Sequence, residues 1–366
     1  MNEFLLRDIL LDKIAATALE PRQWELIIAQ ARSTRLLAAL AIQLNDRAML
    51  ERLDPRIGRH LESELLVADK QQRDLRFDCE LLRRALATAD LPLILLKGGA
   101  YITAGLPVGR GRLITDIDII VPADQLDASE TALNSAGWAS AKVSAYDDRY
   151  YRAWGHEIPP LYNSERGTTL DLHHNILPPT AGPSVNASLL FENLQPISPG
   201  VFSLGHCDMV IHSATHLFHE GEFHHGLRDL WDLDRMLRDF PRQDPNFWSG
   251  LLRRAEDLQL TVSLSHGLRY TQAVFNTPVP ADVAEACVAQ SMQLRRPLMD
   301  FLFRRAFRPP HPSCHLPLTG VALQLLYMRS HYLRMPIYML LPHLARKAWV
   351  GKFGDKSDPG TLNIPG

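Results

Sequence analysis

Apolar residues along the first part of the chain recur at steps of three and four, a spacing that predicts helices up to about residue 90. Trp24, Ile27, Ile28, Leu36, Leu37 and Leu40 form one series, behind a Pro21 that suits a first helical turn. Asp54-Pro55 marks a break, and a second long helix is predicted from Ile57 to Ala89 on the stripe Leu61, Leu65, Leu66, Leu75, Leu81, Leu82 and Leu86. From Leu91 the period shortens. Apolar runs at residues 93–96 and 114–121 read as strands, followed by a helix over 124–135. A hairpin is predicted from 157–162 and 168–176 across the turn-prone stretch Asn163 to Gly167. Beyond a Pro- and Gly-containing stretch from Pro178 to Gly205, helical spacing returns and continues to about residue 350.

This pattern predicts an α+β fold in which a small mixed-sheet core, residues 91–205, is flanked by an N-terminal helical region, 1–90, and a C-terminal helical domain, 206–350. Residues 351–366, rich in Gly, Pro, Asp and Lys, are predicted to form a mobile tail. A length of 366 residues allows two or three units and a sizeable core.

Charge narrows the choice of partner. With 39 Lys and Arg against 41 Asp and Glu the chain has no strongly basic footprint, so long nucleic acid is not expected as a general partner. Cys79, Cys207, Cys287 and Cys314 lie far apart without a CxxC pair, which argues for reduced thiols rather than a disulfide framework or a Cys-rich zinc site. The first residues mix charge into apolar positions, unlike a secretory signal. The most apolar late segment, Val321 to Val350, is interrupted by Arg329, His331, Arg334, His343, Arg346 and Lys347, and falls short of the roughly 20 apolar residues of a membrane helix. A cytoplasmic protein with no transmembrane segment is expected. The basic apolar stretch Leu340 to Phe353, with Arg346, Lys347, Trp349 and Lys352, reads as a last packed helix with a solvated face.

Candidate chemistry is concentrated in the predicted sheet. Lys97-Gly98-Gly99 sits where a strand gives way to a helix, and glycines there let backbone amides approach a phosphate closely. A tight turn with no ligand is the plain alternative. Asp116 and Asp118 lie two apart inside Ile114, Ile117, Ile119, Ile120 and Val121, so they project to one face with Cα atoms roughly 6.5 Å apart. Two unpaired carboxylates in so apolar a strand require a counter-charge, and oxygen ligands suit Mg²⁺. Asp171, in Thr168-Thr-Leu-Asp-Leu-His-His174, can face the same ion if its strand lies about 4.8 Å from that of Asp116. It is then a candidate general base or ligand of a second metal. His173 shares the Asp171 side of the strand.

Further along, His212, His216 and His219 are spaced by four and three on one helix face, followed by His224 and His225. Such a face can bind zinc, as in a His-dependent metal hydrolase, although the His-Glu-x-x-His order is missing and a packed, hydrogen-bonded face is the favoured reading. Arg228 and Asp232 read as an ordinary i,i+4 surface pair.

The order Lys97-Gly98-Gly99, Tyr101, Arg112 four residues before Asp116, Asp116-Ile-Asp118 and a later Leu170-Asp-Leu-His173 resembles the nucleotidyltransferase superfamily of the DNA polymerase β type, and within it an uncharacterised bacterial nucleotidyltransferase family. The resemblance covers residues 91–176, and more loosely the helical part to about 240. It implies transfer of a nucleoside monophosphate from an NTP to an unidentified hydroxyl-bearing acceptor, with two Mg²⁺ ions and release of pyrophosphate. By the same resemblance Asp116, Asp118 and Asp171 are catalytic and metal-binding, Lys97, Gly98, Gly99 and Arg112 bind the nucleotide, and His212, His216 and Asp229 have a structural or nucleotide-facing role. The superfamily commonly carries Gly-Ser at the phosphate turn. Gly99 stands in the place of that Ser, which leaves open a nucleotide-binding scaffold without turnover.

Overall fold

The computed structural model describes residues 4–140, 151–219, 221–290, 295–335 and 338. The predicted tail and the whole Leu340 to Phe353 stretch lie outside these residues. The fold is mixed α+β, with one seven-stranded mixed sheet and many helices. The chain divides into two compact units: residues 1–78, 97–114 and 206–328 form one, residues 79–96, 115–205 and 329–366 the other.

The first unit is helical. It contains α1 (Leu5–Leu10), α2 (Pro21–Ser33), α3 (Leu37–Asn45) and most of α4 (Pro55–Ala87). Pro21 and Pro55 open α2 and α4, where a missing N–H costs nothing. The inserted segment contributes α5 (Lys97–Thr103). The remainder is α7 (His206–His219), α8 (Gly226–Gln243), α9 (Phe247–Asp257), α10 (Thr261–Phe275), α11 (Ala281–Gln290), α12 (Arg296–Ala306) and the start of α13 (Thr319–Arg334), with α6 (Leu126–Ser135) belonging to the other unit. Phe218, Tyr270, Phe303 and Phe307, from α7, α10, α12 and the residue after α12, pack ring to ring at centroid distances of 4.9–5.9 Å. No helix among the described residues is long and apolar enough to cross a membrane, and none of the four cysteines is in a disulfide.

The second unit is built on the sheet, in the order β3-β4-β5-β2-β1-β7-β6. Its strands are β1 (Leu93–Leu95), β2 (Asp116–Ile120), β3 (Ala139–Ser140), β4 (Leu161–Asn163), β5 (Thr168–His173), β6 (Gln195–Ser198) and β7 (Val201–Ser203). The predicted hairpin forms as β4 and β5, although its first strand is shorter than expected because Pro159 and Pro160 precede it. The hairpin of β6 and β7 fell in the stretch read as irregular, where Pro196 and the Pro199-Gly200 turn mask the strand pattern. β7 completes the sheet by pairing in parallel with β1.

One register positions the site. β2 and β5 run parallel, with Ile117 opposite Leu170 and Ile119 opposite Leu172. All four side chains are fully buried, each worth about 1.5–3 kcal/mol against exposure. Because side chains alternate, the other face then receives Asp116 opposite Thr169, Asp118 opposite Asp171 and Ile120 opposite His173. A slip of one residue would exchange the two faces, so apolar burial locks the carboxylates in place.

Candidate active site

Asp118 and Asp171 are direct neighbours across the β2–β5 pair, and Asp116 stands two residues back on the same face. Asp118 is buried, while Asp116 and Asp171 are partly so. Asp118 Oδ1 lies 3.1 Å from His173 Nε2, and His173 Nδ1 lies 3.3 Å from Glu157 Oε2. Thr115 donates its hydroxyl to Asp116 Oδ1 at 3.1 Å. Burial, together with the negative charge of Asp118, Glu157 and Asp116, pushes the Asp171 carboxyl up to about 7, against a partial pull downward from His173. Asp116, Asp118 and Asp171 thus share one face of the sheet, where burial and neighbouring negative charge disfavour ionisation of Asp171.

The residues after β1 are arranged within the helical unit. Lys97 adopts a left-handed backbone (φ 44°) as α5 begins, a conformation that is uncommon outside glycine. Gly98 is packed so closely that an added Cβ would stand 2.9 Å from Ile114 Cγ2 and 3.8 Å from Arg112 Cζ. The Arg112 guanidinium is itself nearly buried and donates from Nε to Asp232 Oδ2 at 2.7 Å and from Nη1 to the Leu113 carbonyl at 2.7 Å, with Asp229 at 3.6 Å. Burial alone would raise Asp229, but Arg228, Arg112 and His216 more than offset it and hold that carboxyl below its usual range. For Asp232 burial prevails over the pull of Arg112 and the carboxyl is pushed up to about 6. Tyr101, fully buried beside this group, is raised well above a normal phenol by burial and by Asp232.

A family model described as an uncharacterised nucleotidyltransferase matches residues 20–276. The chain belongs to this nucleotidyltransferase family. Neither a curated protein nor a solved structure matches it.

The matched residues span the Lys97-Gly98-Gly99 turn, β2, β5 and helices α7 and α8, so every candidate site residue named from the sequence lies inside the family region. Asp116, Asp118, Asp171 and His173 come together on one face. Arg112 instead meets Asp229 and Asp232. Asp232 is therefore not half of a surface pair with Arg228. It is 3 % exposed and bonded to Arg112, while Arg228 bonds Asp229 at 2.7 Å. Helix α8 has an apolar face that includes Leu230, Leu233 and Leu237, and Asp232 is drawn into the interior beside it by a cation from a distant segment.

The His face of α7 is packed rather than open. His212 and His219 are buried, and His219 Nδ1 donates to the Thr215 carbonyl one turn earlier at 3.1 Å, the geometry of a satisfied core histidine. Among the described residues, ligand atoms gather instead at His156, Glu157 and His173. His156 and Glu157 were not singled out from the sequence. The available signal was Gly155 followed directly by two ligand-type side chains ahead of Pro159-Pro160.

Proposed function

We propose that the protein transfers a nucleoside monophosphate from an NTP to a hydroxyl acceptor in a Mg²⁺-dependent reaction, with pyrophosphate leaving. The observation that carries this reading is the parallel register placing Asp118 beside Asp171 with Asp116 on the same face. Family membership supports the class of reaction. The donor set also fits the ion, since three carboxylates supply hard oxygen ligands, and the burial and neighbouring negative charge that raise Asp171 are what a divalent cation offsets.

In this reading Asp116, Asp118 and Asp171 hold the metal. When bound, Mg²⁺ supplies charge stabilisation for the triphosphate and for the entering and leaving oxygens. Asp171 orients the acceptor hydroxyl and is placed to accept its proton. His173 fixes the orientation of Asp118 through their hydrogen bond. Lys97, Gly98 and Gly99 contribute backbone amides and one positive charge to the phosphates. Arg112, already committed to Asp232, acts by holding the turn against Gly98 rather than as a primary phosphate ligand.

Incubation with each labelled NTP and Mg²⁺ over a panel of sugar, nucleoside and peptide hydroxyl acceptors tests the proposal. It expects pyrophosphate release that is lost in Asp116→Ala and Asp118→Ala. Micromolar nucleotide binding without release for any acceptor would favour the non-catalytic scaffold that Gly99 raises.

A further inference from the structure

Next to the carboxylate face lies a group of different donor chemistry. His156, Glu157 and His173 each bring one ligand atom to within 4.8 Å of the others, and no other such trio of His, Cys, Asp or Glu occurs among the described residues. Two imidazoles and one carboxylate are not the oxygen set that Mg²⁺ selects. Imidazole suits zinc and its first-row neighbours, and two His with one Glu is a recurrent three-ligand zinc set.

Spacing agrees with that chemistry. Glu157 Oε2 and His173 Nδ1 are 3.3 Å apart. Two ligands bonded at 2.0–2.1 Å to a tetrahedral ion stand roughly 3.3–3.4 Å apart, whereas neighbouring ligands of an octahedral ion at such bond lengths stand about 2.9 Å apart. The rings of His156 and His173 are tilted by 39° with centroids 5.5 Å apart.

The backbone holds the three in place before any ion arrives. Glu157 and His173 form an antiparallel bridge, Ile158 N–H donates to Leu172 O at 3.1 Å, and His174 N–H donates to His156 O at 2.9 Å. The turn entering this bridge accepts only glycine at Gly155, where a Cβ would lie 2.4 Å from the Tyr151 carbonyl oxygen. The imidazole of His173 is oriented as well. Its Nε2 meets Asp118 Oδ1 at 3.1 Å, which leaves Nδ1 toward Glu157. A histidine ligand steadied by a carboxylate at its other nitrogen is the usual outer-shell arrangement of zinc sites.

We propose that His156, Glu157 and His173 form a tetrahedral site for a Zn²⁺-class ion, with its fourth position left for water or a substrate oxygen, and that the Asp118–His173 hydrogen bond ties this ion to the carboxylate face. The site is distinct from the Asp116, Asp118 and Asp171 set, and its ligands are two-thirds nitrogen.

The full-length protein, stripped with chelator and then exposed to Zn²⁺ alone, is expected to retain stoichiometric zinc by elemental analysis. Substituted with Co²⁺, it is expected to show the intense visible bands of a tetrahedral ion. Competition with a chromophoric chelator is expected to show affinity falling by more than about 100-fold in His156→Ala and Glu157→Ala and by about 10-fold in Asp118→Asn. Asp116→Asn is expected to keep its zinc, which separates this site from the Mg²⁺ reading. Should the alanine variants misfold, His156→Gln and Glu157→Gln preserve volume and are judged by the loss of the zinc-induced rise in Tm. Absence of stoichiometric zinc, zinc that survives the His156 and Glu157 changes, or a weak octahedral Co²⁺ spectrum would each overturn the proposal, whatever the outcome of the NTP assay.

Discussion

Asp118 and Asp171 stand opposite each other in the parallel β2–β5 register, and burial, added to by this proximity, lifts the Asp171 carboxyl to about 7. A carboxyl whose folded pKa lies above its ordinary 3.8 favours the folded state in its protonated form. The stability it contributes is fully present below about pH 4 and is lost as pH rises through about 7. In chelator, Tm is therefore expected to carry a component that declines between these limits, on the order of a few kcal/mol in unfolding free energy. Asp171→Asn is expected to flatten that component, and Mg²⁺ to raise Tm more at pH 8 than at pH 5. A pH profile unchanged by Asp171→Asn would contradict the crowding of charge at this site.

Removing single carboxylates separates chemistry from folding. Asp116 is only partly buried and bonded to Thr115, so Asp116→Asn is expected to leave the unfolding free energy within about 1 kcal/mol of the parent. Pyrophosphate release is expected to fall by roughly 10²–10³-fold or more. Parallel measurement of melting and of NTP turnover checks both halves.

Arg112 is the counter-charge of a buried pair, and its loss removes the cation that Asp232 meets at 2.7 Å. Arg112→Ala is expected to cost about 3–5 kcal/mol, the usual penalty for orphaning a buried charge. Asp232→Ala and the double variant complete a cycle in which the double change costs clearly less than the two single changes together. Denaturant titration of the four proteins reads the coupling, and strict additivity would show that the two side chains do not stabilise each other.

Gly98 has too little room for a methyl group. Gly98→Ala is expected to destabilise by about 1–3 kcal/mol, because its Cβ would meet Ile114 Cγ2 at 2.9 Å. In an Ile114→Ala background, which removes the obstructing methyl, the added cost of Gly98→Ala is expected to shrink. Chemical denaturation of the single and double variants gives the answer.

Much of the architecture was legible in the chain. Helical spacing before residue 90 and after 205 matched helices in both regions, and the two apolar runs around Asp116 and Asp171 matched β2 and β5. β6 and β7 escaped notice because strands of four and three residues, one containing Pro196, offer too few alternations to stand out from a loop. The site divided along similar lines. Asp116, Asp118, Asp171 and His173 announce themselves as polar positions of fixed parity in apolar strands. His156 and Glu157 lie in a stretch without periodicity, and Asp232 lies 120 residues from its cation.

Local order, then, is what the sequence by itself determined: that the apolar runs around Asp116 and Asp171 are strands, and which face each carboxylate takes. These follow from alternation, which is readable over a few residues. Tertiary structure alone decided that β2 and β5 are neighbours in a register setting Asp118 against Asp171, that Arg112 answers Asp232, and that the bridge at Glu157 carries His156 to His173. Those pairings are selected by the simultaneous burial of Ile117, Ile119, Leu170 and Leu172 and by charges that find partners far along the chain. Such choices depend on the whole set of contacts, and no short window of the sequence contains them.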